Sequence, residues 1–358
     1  MAVVLTIIAV LLLVWWLLRF VPAGVEAHMP MPYSTALDRH LWVPAVIGAV
    51  WSAALGCWWG AALYALLLVL VIAGESPYYR HLFGRTANTS QATANTATDG
   101  TDRPGTSADG VIRAMTLNCR YGRADAENIV RLVRERHIDV LALEELTDEL
   151  VERLSHAGLN TLLPYCQQGA QHAGDNGGFN AIWSRAEPVG RIATFLNIHA
   201  ADVPAITIDA DACDTPGAPS NPGRQVTFAA AHTKSPMRGC REWSYGVREL
   251  DAIVTSPEPV VVLGDLNACL DHRCLRDVLA AGVHDASLEC CAWPDPDVPL
   301  LDAVAAYRTR PCVGEQRRGL PFGASHHRAR YRSSGAARHL ECAVTSLPST
   351  NCLRKQEP

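Results

Sequence analysis

The feature that most constrains this chain is a pair of long stretches without any charged side chain, at residues 2–18 and 41–74. A helix needs about 20 apolar residues to cross about 30 Å of hydrocarbon. Residues 2–18 meet that length if the span continues to Val25 and Arg19 extends its side chain to the interface. A cleaved signal peptide is the alternative, but no basic segment precedes the stretch and a second apolar stretch follows it.

The second stretch has an intermediate length, because as one helix it would extend about 51 Å. That is too long for one comfortable span and short for two spans with a turn. The sequence GCWWG at 56–60 lies near its middle, where a tight hairpin would divide it. We therefore predict a transmembrane region over residues 1–75 with two or three spans.

Residues 86–110 have a different composition, since they are mostly Thr, Ala, Asn, Gly and Asp with almost no large apolar side chain. Such a segment cannot bury enough surface to offset its chain entropy. We predict a disordered linker over 76–110 that tethers the membrane region to a soluble domain. A segment with a binding role is the alternative.

From residue 111 the chain alternates between patterns typical of buried strands and of amphipathic helices. This order predicts an α/β domain over residues 111–325, with helices covering a sheet. The predicted strands are 111–118, 138–143, 179–184, 203–208, 224–231 and 260–263, and the predicted helices are 124–136, 148–157 and 242–255.

Composition narrows the class of protein further. Apolar residues make up 49% and charged residues 19% of the chain, which excludes an intrinsically disordered protein. The net charge of −5 argues against a broad surface that coats nucleic acid. The 12 cysteines show no metal-type spacing, so we expect buried or incidental thiols rather than zinc ligands, and leave their redox state open.

Polar side chains recur in and just after the predicted strands. Each one alone is compatible with a helix cap or a turn residue. Their ordered recurrence predicts that they meet in one site at an edge of the sheet. These residues are Asn118, Glu144, Glu145, Asn180, His232, Asp265 and Asn267.

The sequence around these residues resembles the endonuclease/exonuclease/phosphatase superfamily over about 111–300. The resemblance implies a four-layered α/β sandwich, in which two packed sheets are flanked by helices, here preceded by transmembrane helices. Apolar spans followed by such a domain also resemble the membrane-anchored bacterial members. The matching motifs are TLN at 116–118, LEEL at 143–146, GFNAIWSR at 178–185, AHTKSP at 231–236 and GDLNA at 264–268.

The resemblance implies a metal site. Glu145 aligns with the glutamate that ligates Mg²⁺ in the family, and Glu144 replaces the usual glutamine, so the choice between the two neighbours rests on register. Asn118 would help to orient the metal or the phosphate. Mg²⁺ is the expected ion, with Mn²⁺ as the alternative.

The resemblance also implies catalytic roles on the second half of the domain. Asp265 would position or deprotonate the attacking water, Asn267 would donate a hydrogen bond to a phosphate oxygen, and His232 would contact the phosphate or assist the leaving group. Together these residues predict hydrolysis of a phosphodiester by a metal-activated water.

The end of the chain departs from the family pattern. The family ends with a strand like IDHVLV and then SDHRP, and neither is present; SHHRA at 325–329 has His in place of the Asp. Residues 326–358 therefore form an atypical tail. Either the tail has diverged or a frameshift replaced the final strands, and the nucleotide sequence of the gene distinguishes these hypotheses.

The sequence thus predicts a membrane-anchored, Mg²⁺-dependent phosphodiesterase that acts on nucleic acid or on a phospholipid headgroup. The alternative is a catalytically impaired family member that serves as a membrane-tethered binding protein. We expect a multi-pass protein of the cell membrane with its catalytic domain on the extracellular side, although the arginines that flank the apolar stretches are compatible with either orientation. No feature of the sequence indicates a protein partner.

Overall fold

The computed structural model describes residues 1–83, 112–172, 177–209, 225–289 and 306–307. Most of the predicted linker, residues 210–224 and the atypical tail at 326–358 lie outside the described residues. The linker prediction began at residue 76, but a helix continues to Phe83.

The amino-terminal region is helical. Two long helices, α1 and α5, enclose a run of shorter ones, with 3₁₀ turns at Leu18–Phe20 and Asp38–Leu41. The helices are α1 (Ala2–Leu17), α2 (Ala23–Glu26), α3 (Met31–Ala36), α4 (Trp42–Ala54) and α5 (Trp58–Phe83).

The second apolar stretch is divided where the sequence suggested. Helix α4 ends at Ala54 and α5 begins at Trp58, and Gly56 between them has a φ of 68°, which a glycine adopts without strain. The two helices pack closely, because a Cβ on Gly48 would lie 2.3 Å from the ring of Tyr64. Tyr64 in turn donates to the carbonyl of Leu5 at 3.0 Å, which joins α5 to α1.

Two of these helices are long and apolar enough to cross a membrane, over Ala2–Phe20 and Trp58–Pro77. Helix α4 is about 20 Å long and falls short of the roughly 30 Å of hydrocarbon. A buried core helix or a signal sequence satisfies the same length and composition test. The number of candidate spans is therefore two, at the lower end of the predicted range.

The soluble part contains two sheets of mixed direction. The first has the strand order β1-β2-β4-β3 and the second β5-β6-β7-β8-β10-β9. The strands are β1 (Ala114–Asn118), β2 (Val140–Leu146), β3 (Tyr165–Gln168), β4 (Phe179–Ser184), β5 (Gly190–Ile192), β6 (Ala205–Asp209), β7 (Gln225–Ala230), β8 (Val260–Leu263), β9 (His284–Asp285) and β10 (Ala306–Tyr307).

Helices cover the outer face of each sheet. On the first sheet, Asp125 caps α6 by accepting from two backbone N–H groups, and Thr147 caps α7. The helices are α6 (Ala126–Glu135), α7 (Asp148–His156), α8 (Leu159–Leu162), α9 (Cys240–Arg248), α10 (Arg273–Ala280) and α11 (Ala286–Glu289), with a 3₁₀ helix at Glu249–Thr255.

Three apolar clusters fill the spaces between these layers. One lies between the two sheets and includes Ile182 and Phe228. The second packs α6 and α7 on the first sheet, and the third packs α9 and α10 on the second sheet. Two sheets flanked by helices make the predicted four-layered α/β sandwich, so the fold class is confirmed. The six cysteines in the described ranges are free thiols.

Candidate active site

The carboxyl ends of four strands meet at one edge of the sandwich. Strands β1 and β2 are parallel in the first sheet, and β7 and β8 are parallel in the second. Side chains that follow parallel strands collect at the same edge, where α/β proteins place their sites. The predicted residues Asn118, Glu145, His232 and Asp265 all lie at this edge.

Asn118 links the two sheets at the centre of this group. Its side-chain nitrogen donates to Glu145 Oε1 at 3.2 Å and to Asp265 Oδ2 at 3.2 Å. Its side-chain oxygen accepts from the backbone N–H of Arg120 at 2.9 Å, which fixes the orientation of the amide. One neutral side chain therefore holds two carboxylates from different sheets close to each other.

A β-bulge places both neighbouring glutamates on the side of the first sheet that faces away from its helices. The register of β2 against β4 shifts between Leu143 and Leu146, and Glu145 has a left-handed φ of 52°. Leu143 and Leu146 both pack under the helices of the first sheet, so the two residues between them point away from those helices. The bulge thus turns Glu144 and Glu145 toward the space between the sheets.

Glu144 is buried behind the site. It is 1% exposed, and its Oε1 accepts from Thr116 Oγ1 at 2.7 Å. Its Oε2 has no hydrogen-bond partner in the described part of the chain. Burial holds the pKa of Glu144 well above its ordinary value, which favours the neutral acid. Burial therefore disfavours Glu144 as a metal ligand, and the assignment of Glu145 as the ligand stays a prediction made from register.

Glu145 is only partly buried and is well placed to bind a ligand. Its Oε2 accepts from the backbone N–H of Tyr121 at 3.1 Å. Burial raises the pKa of Glu145, and the neighbouring Asp265 carboxylate raises it further, while His232 and Asn118 lower it. A cation at this position would stabilise the ionised form of both carboxylates.

The second sheet contributes His232 and Asp265 from adjacent strands. His232 is 2% exposed, and its Nε2 lies 3.8 Å from Glu145 Oε1. Gly264 has a φ of 142°, and a Cβ there would lie 1.8 Å from the carbonyl oxygen of Ala231. Only glycine at position 264 allows the chain to pass so close to Ala231 at the ends of β7 and β8. His232 and Asp265 directly follow these two residues.

Asn267 holds the loop that carries Asp265. Its backbone N–H donates to Asp265 Oδ1 at 2.9 Å, and its side-chain nitrogen donates to the carbonyl of Thr233 at 3.1 Å. The side-chain nitrogen carries two hydrogens, so this bond engages one of its two donors. Asn267 therefore joins the group that the sequence predicted, next to His232 and Asp265.

Backbone strain concentrates at this edge of the sandwich. Five non-glycine residues in the described ranges have a positive φ, and four of them are Arg120, Tyr121, Glu145 and Asn267. Residues in such conformations persist only where the surrounding structure holds them, and they cluster at functional sites. This concentration is an independent reason to expect a functional site at this edge.

Three residues near the site, Arg120, Tyr121 and Arg238, were not found from the sequence. The ring of Tyr121 packs over Gly177, where a Cβ would lie 1.9 Å from it, and the guanidinium of Arg238 lies 5.5 Å from the ring centroid. Arg120 is close enough to lower the pKa of Glu145. The signal was present as the Arg-Tyr pair two residues after Asn118. Asn180 was also predicted to join the site, but its side-chain nitrogen donates to the carbonyl of Asp202 instead of to any residue of the group.

The donor set at the site suits a hard divalent cation. Within the described ranges, no three His, Cys, Asp or Glu side chains are grouped as a complete metal site. Mg²⁺, however, keeps several waters and is bound through one or two carboxylates. The carboxylate of Glu145, with Asn118 and Asp265 beside it, fits that requirement.

The chain is similar to several solved structures. Among solved structures, the chain is similar to humanized D. rerio TDP2, with 17% identity and a TM-score of 0.41 over 56% of this chain and 84% of that chain. It is also similar to a β-hairpin deletion mutant of Staphylococcus aureus beta toxin, with 16% identity and a TM-score of 0.38 over 62% and 98%. A family protein from Leptotrichia buccalis matches with 15% identity and a TM-score of 0.40 over 54% and 86%.

The family assignment comes from the sequence. No curated protein matches the chain. The model of the endonuclease/exonuclease/phosphatase family, however, matches residues 115–336, which is more than half of the sequence and includes every residue of the group described above. The chain therefore belongs to the endonuclease/exonuclease/phosphatase family.

Proposed function

We propose that this protein is a membrane-anchored, Mg²⁺-dependent phosphodiesterase. The observation that carries the proposal is the convergence of Glu145 and Asp265 on the side-chain nitrogen of Asn118, each at 3.2 Å. Two carboxylates held beside a histidine and two amides suit general-base attack of water on a phosphate ester. Membership of a family of nucleases and phosphatases supports the reaction class.

Glu145 would bind the Mg²⁺, with the side chain of Asn118 orienting it. When bound, the ion would neutralise charge on the phosphoryl oxygens and stabilise the leaving oxygen. Mn²⁺ has the same preference for oxygen ligands and would serve in its place.

The chain's own residues would orient water and substrate. Asp265 Oδ2 would accept a proton from the attacking water, while its Oδ1 stays fixed by the backbone N–H of Asn267. Asn267 would donate its second side-chain hydrogen to a phosphate oxygen. His232, buried beside Glu145, would donate to another phosphate oxygen or protonate the leaving group.

The membrane anchor is supported by what the amino-terminal helices expose. Among the described residues, the majority of the exposed large apolar side chains belong to α1, α4 and α5. They include Trp58, which is 72% exposed, and Trp59, which is 84% exposed. Exposed apolar area of this extent marks a protein or membrane interface. Tryptophans at the turn between α4 and α5 suit the level of the lipid headgroups.

The substrate class is a phosphodiester, and two sources fit. One neighbouring structure is D. rerio TDP2 complexed with a single-stranded DNA product, and another is a bacterial beta toxin. We propose nucleic acid or a phospholipid headgroup as the substrate of this chain, and separate arms of one assay distinguish them.

The test is a hydrolysis assay on the full chain in detergent micelles with Mg²⁺. The arms use plasmid DNA, a single-stranded oligonucleotide and mixed micelles of a phosphodiester lipid, and each is repeated with Asp265→Ala. We expect one arm to show turnover that disappears in the variant and on chelation of Mg²⁺. Equal turnover in both proteins would contradict the proposal.

The alternative is a membrane-tethered binding protein. One observation favours it, which is that the sequence lacks the final Asp-His motif of the family. Binding of the same phosphodiesters without turnover in any arm would support it.

A further inference from the structure

The segment between the first apolar helix and α4 packs on the soluble domain, next to the loop that carries Asp265. The carboxylate of Glu26, 0% exposed, accepts from the backbone N–H of Arg273 at 2.7 Å and of Cys274 at 2.9 Å. These are the first two residues of α10. The first N–H groups of a helix have no partner within it, so Glu26 caps α10 from a distant part of the chain.

Asp271, just before α10, is held by two arginines of the same segment. Its carboxylate lies 3.1 Å from Arg19 and 3.4 Å from Arg39, and it is 1% exposed. Arg276 also connects this turn to the segment. Its guanidinium donates to the carbonyls of Leu270 and Asp271 in the turn and to the carbonyl of Arg19 in the segment. Breaking one partner of a buried ion pair leaves an uncompensated charge, so these contacts fix the turn strongly.

His272 makes a third contact with the segment. Its Nδ1 accepts from the backbone N–H of Cys269 at 2.9 Å, so the ring proton lies on Nε2. Nε2 then donates to the carbonyl of Pro32 at 2.9 Å. Burial lowers the pKa of His272, which favours this neutral form.

One aromatic side chain connects these contacts to the site. Trp243 meets the ring of His272 edge-on, with 4.9 Å between ring centroids. Its indole N–H donates to the carbonyl of Asn267 at 3.1 Å. Asn267 has a strained φ of 48°, and its N–H fixes Asp265 Oδ1. The path from Pro32 to the Asp265 carboxylate therefore passes through three residues in direct contact.

We propose that residues 19–41 are a structural part of the active site, in which Glu26, Arg19 and Arg39 hold the loop 264–274 and so position Asp265 and Asn267. These three are positioning residues, because they act through the loop. The catalytic consequence rests on the function proposed above, whereas the effect on the loop does not. A passive membrane tether would leave the loop unchanged when its contacts are removed.

The test compares Glu26→Gln with the full wild-type chain in detergent micelles. The variant keeps the shape of the side chain but turns an NH₂ group toward one of the two backbone N–H groups. We expect amides of residues 265–274 to exchange hydrogen at least about tenfold faster, while amides of β1 and β2 keep their rates. We also expect kcat to fall at least about tenfold with KM unchanged, and Mn²⁺ affinity at Glu145 to stay the same.

The matched control is Asp125→Asn, because Asp125 also caps a helix through two backbone N–H groups, but on α6 of the first sheet and not on α10. We expect it to speed exchange at Glu127 and Asn128 and to leave kcat unchanged. Arg39→Gln, which removes only one of the two arginines at Asp271, serves as the milder variant if Glu26→Gln fails to fold. It should speed loop exchange by about threefold.

Loop exchange at the wild-type rate in these variants would overturn the proposal, as would a lower kcat without faster loop exchange. Absence of turnover by the wild type on every phosphodiester would overturn the proposed function instead. The exchange comparison would then still decide whether the segment holds the loop.

Discussion

The side-chain nitrogen of Asn118 donates to the carboxylate of Asp265 across the gap between the two sheets, at 3.2 Å. Asn118 ends the first strand of one sheet, and Asp265 follows the eighth strand, in the other. The bond therefore reports how the sheets are aligned at their carboxyl ends. Because Glu145 shares the same nitrogen, the alignment of the sheets also sets the distance between the two acidic side chains.

Replacing Asp265 by Asn should abolish most hydrolysis while preserving the fold. The amide keeps the shape, but its single oxygen accepts from Asn118 or from Asn267 and not from both, and the amide cannot take a proton from water. We expect kcat to fall at least about 100-fold, in the range that general-base groups contribute. Asp251→Asn, at an exposed position of the 3₁₀ helix Glu249–Thr255, is the control and should keep full activity. Comparable activity in the two variants would remove Asp265 from the mechanism.

The two neighbouring glutamates should respond differently to the same change. Glu145→Gln removes a charged ligand, so we expect Mn²⁺ affinity to fall at least about tenfold, measured by titration calorimetry or by electron paramagnetic resonance. Glu144→Gln should leave both affinity and melting temperature nearly unchanged, because the buried Glu144 already favours its neutral form. Equal losses in both variants would show that the deeper burial of Glu144 does not separate the roles of the two glutamates.

Gly264 should not tolerate a side chain. Gly264→Ala forces a Cβ into contact with the carbonyl of Ala231 at a positive φ, and we expect a loss of at least about 3 kcal/mol of stability. Gly24→Ala is the matched control, since a Cβ there meets nothing within 4 Å. Thermal unfolding of both variants measures the difference. A melting temperature for Gly264→Ala equal to that of the control would contradict the close approach of the strands.

Asp38 should make stability depend on pH. Burial raises the pKa of Asp38 to about 8, the charges of Asp271 and Glu75 raise it further, and Arg19 and Arg276 lower it. Between the unfolded pKa of about 4 and the folded pKa of about 8, only the folded state keeps the proton. The contribution of Asp38 to the free energy of unfolding therefore falls by about 1.4 kcal/mol per pH unit as pH rises.

Replacing Asp38 by Asn should remove this contribution. We expect the melting temperatures of the wild type and of Asp38→Asn to be closest at pH 5. As pH rises to 8, the melting temperature of the wild type should fall below that of the variant by an increasing amount. Thermal unfolding in detergent at pH 5, 6, 7 and 8 measures the difference. Parallel profiles for the two proteins would show that Asp38 ionises normally in the fold.

Much of the site was predictable because its signals are local. An apolar run followed at once by Asn118, His232 or Asp265 identifies a strand end, and parallel strands bring such ends together. The alternation of strands and helices predicted an α/β domain, and the resemblance to the family implied its two packed sheets. The bulge at Glu145 was not predictable from the pattern of residues alone, because it depends on how β2 pairs with β4.

The contacts of Glu26 and Arg19 were hidden for a different reason. An apolar helix predicts membrane insertion whether or not its ends touch another domain. A single glutamate 247 residues before its partner carries no pattern that spacing or periodicity detects. Only the folded chain shows that the segment after the first helix meets the loop after Asp265.

That separation of 247 residues also orders the assembly of the protein in time. Ribosomes complete the apolar helices and Glu26 well before Arg273 and Cys274 exist. Until α10 is made, the Glu26 carboxylate remains hydrated, and the segment around it lacks the surface that buries it. A chain terminated before Arg273 would thus lack both backbone N–H groups that the Glu26 carboxylate accepts from in the finished fold.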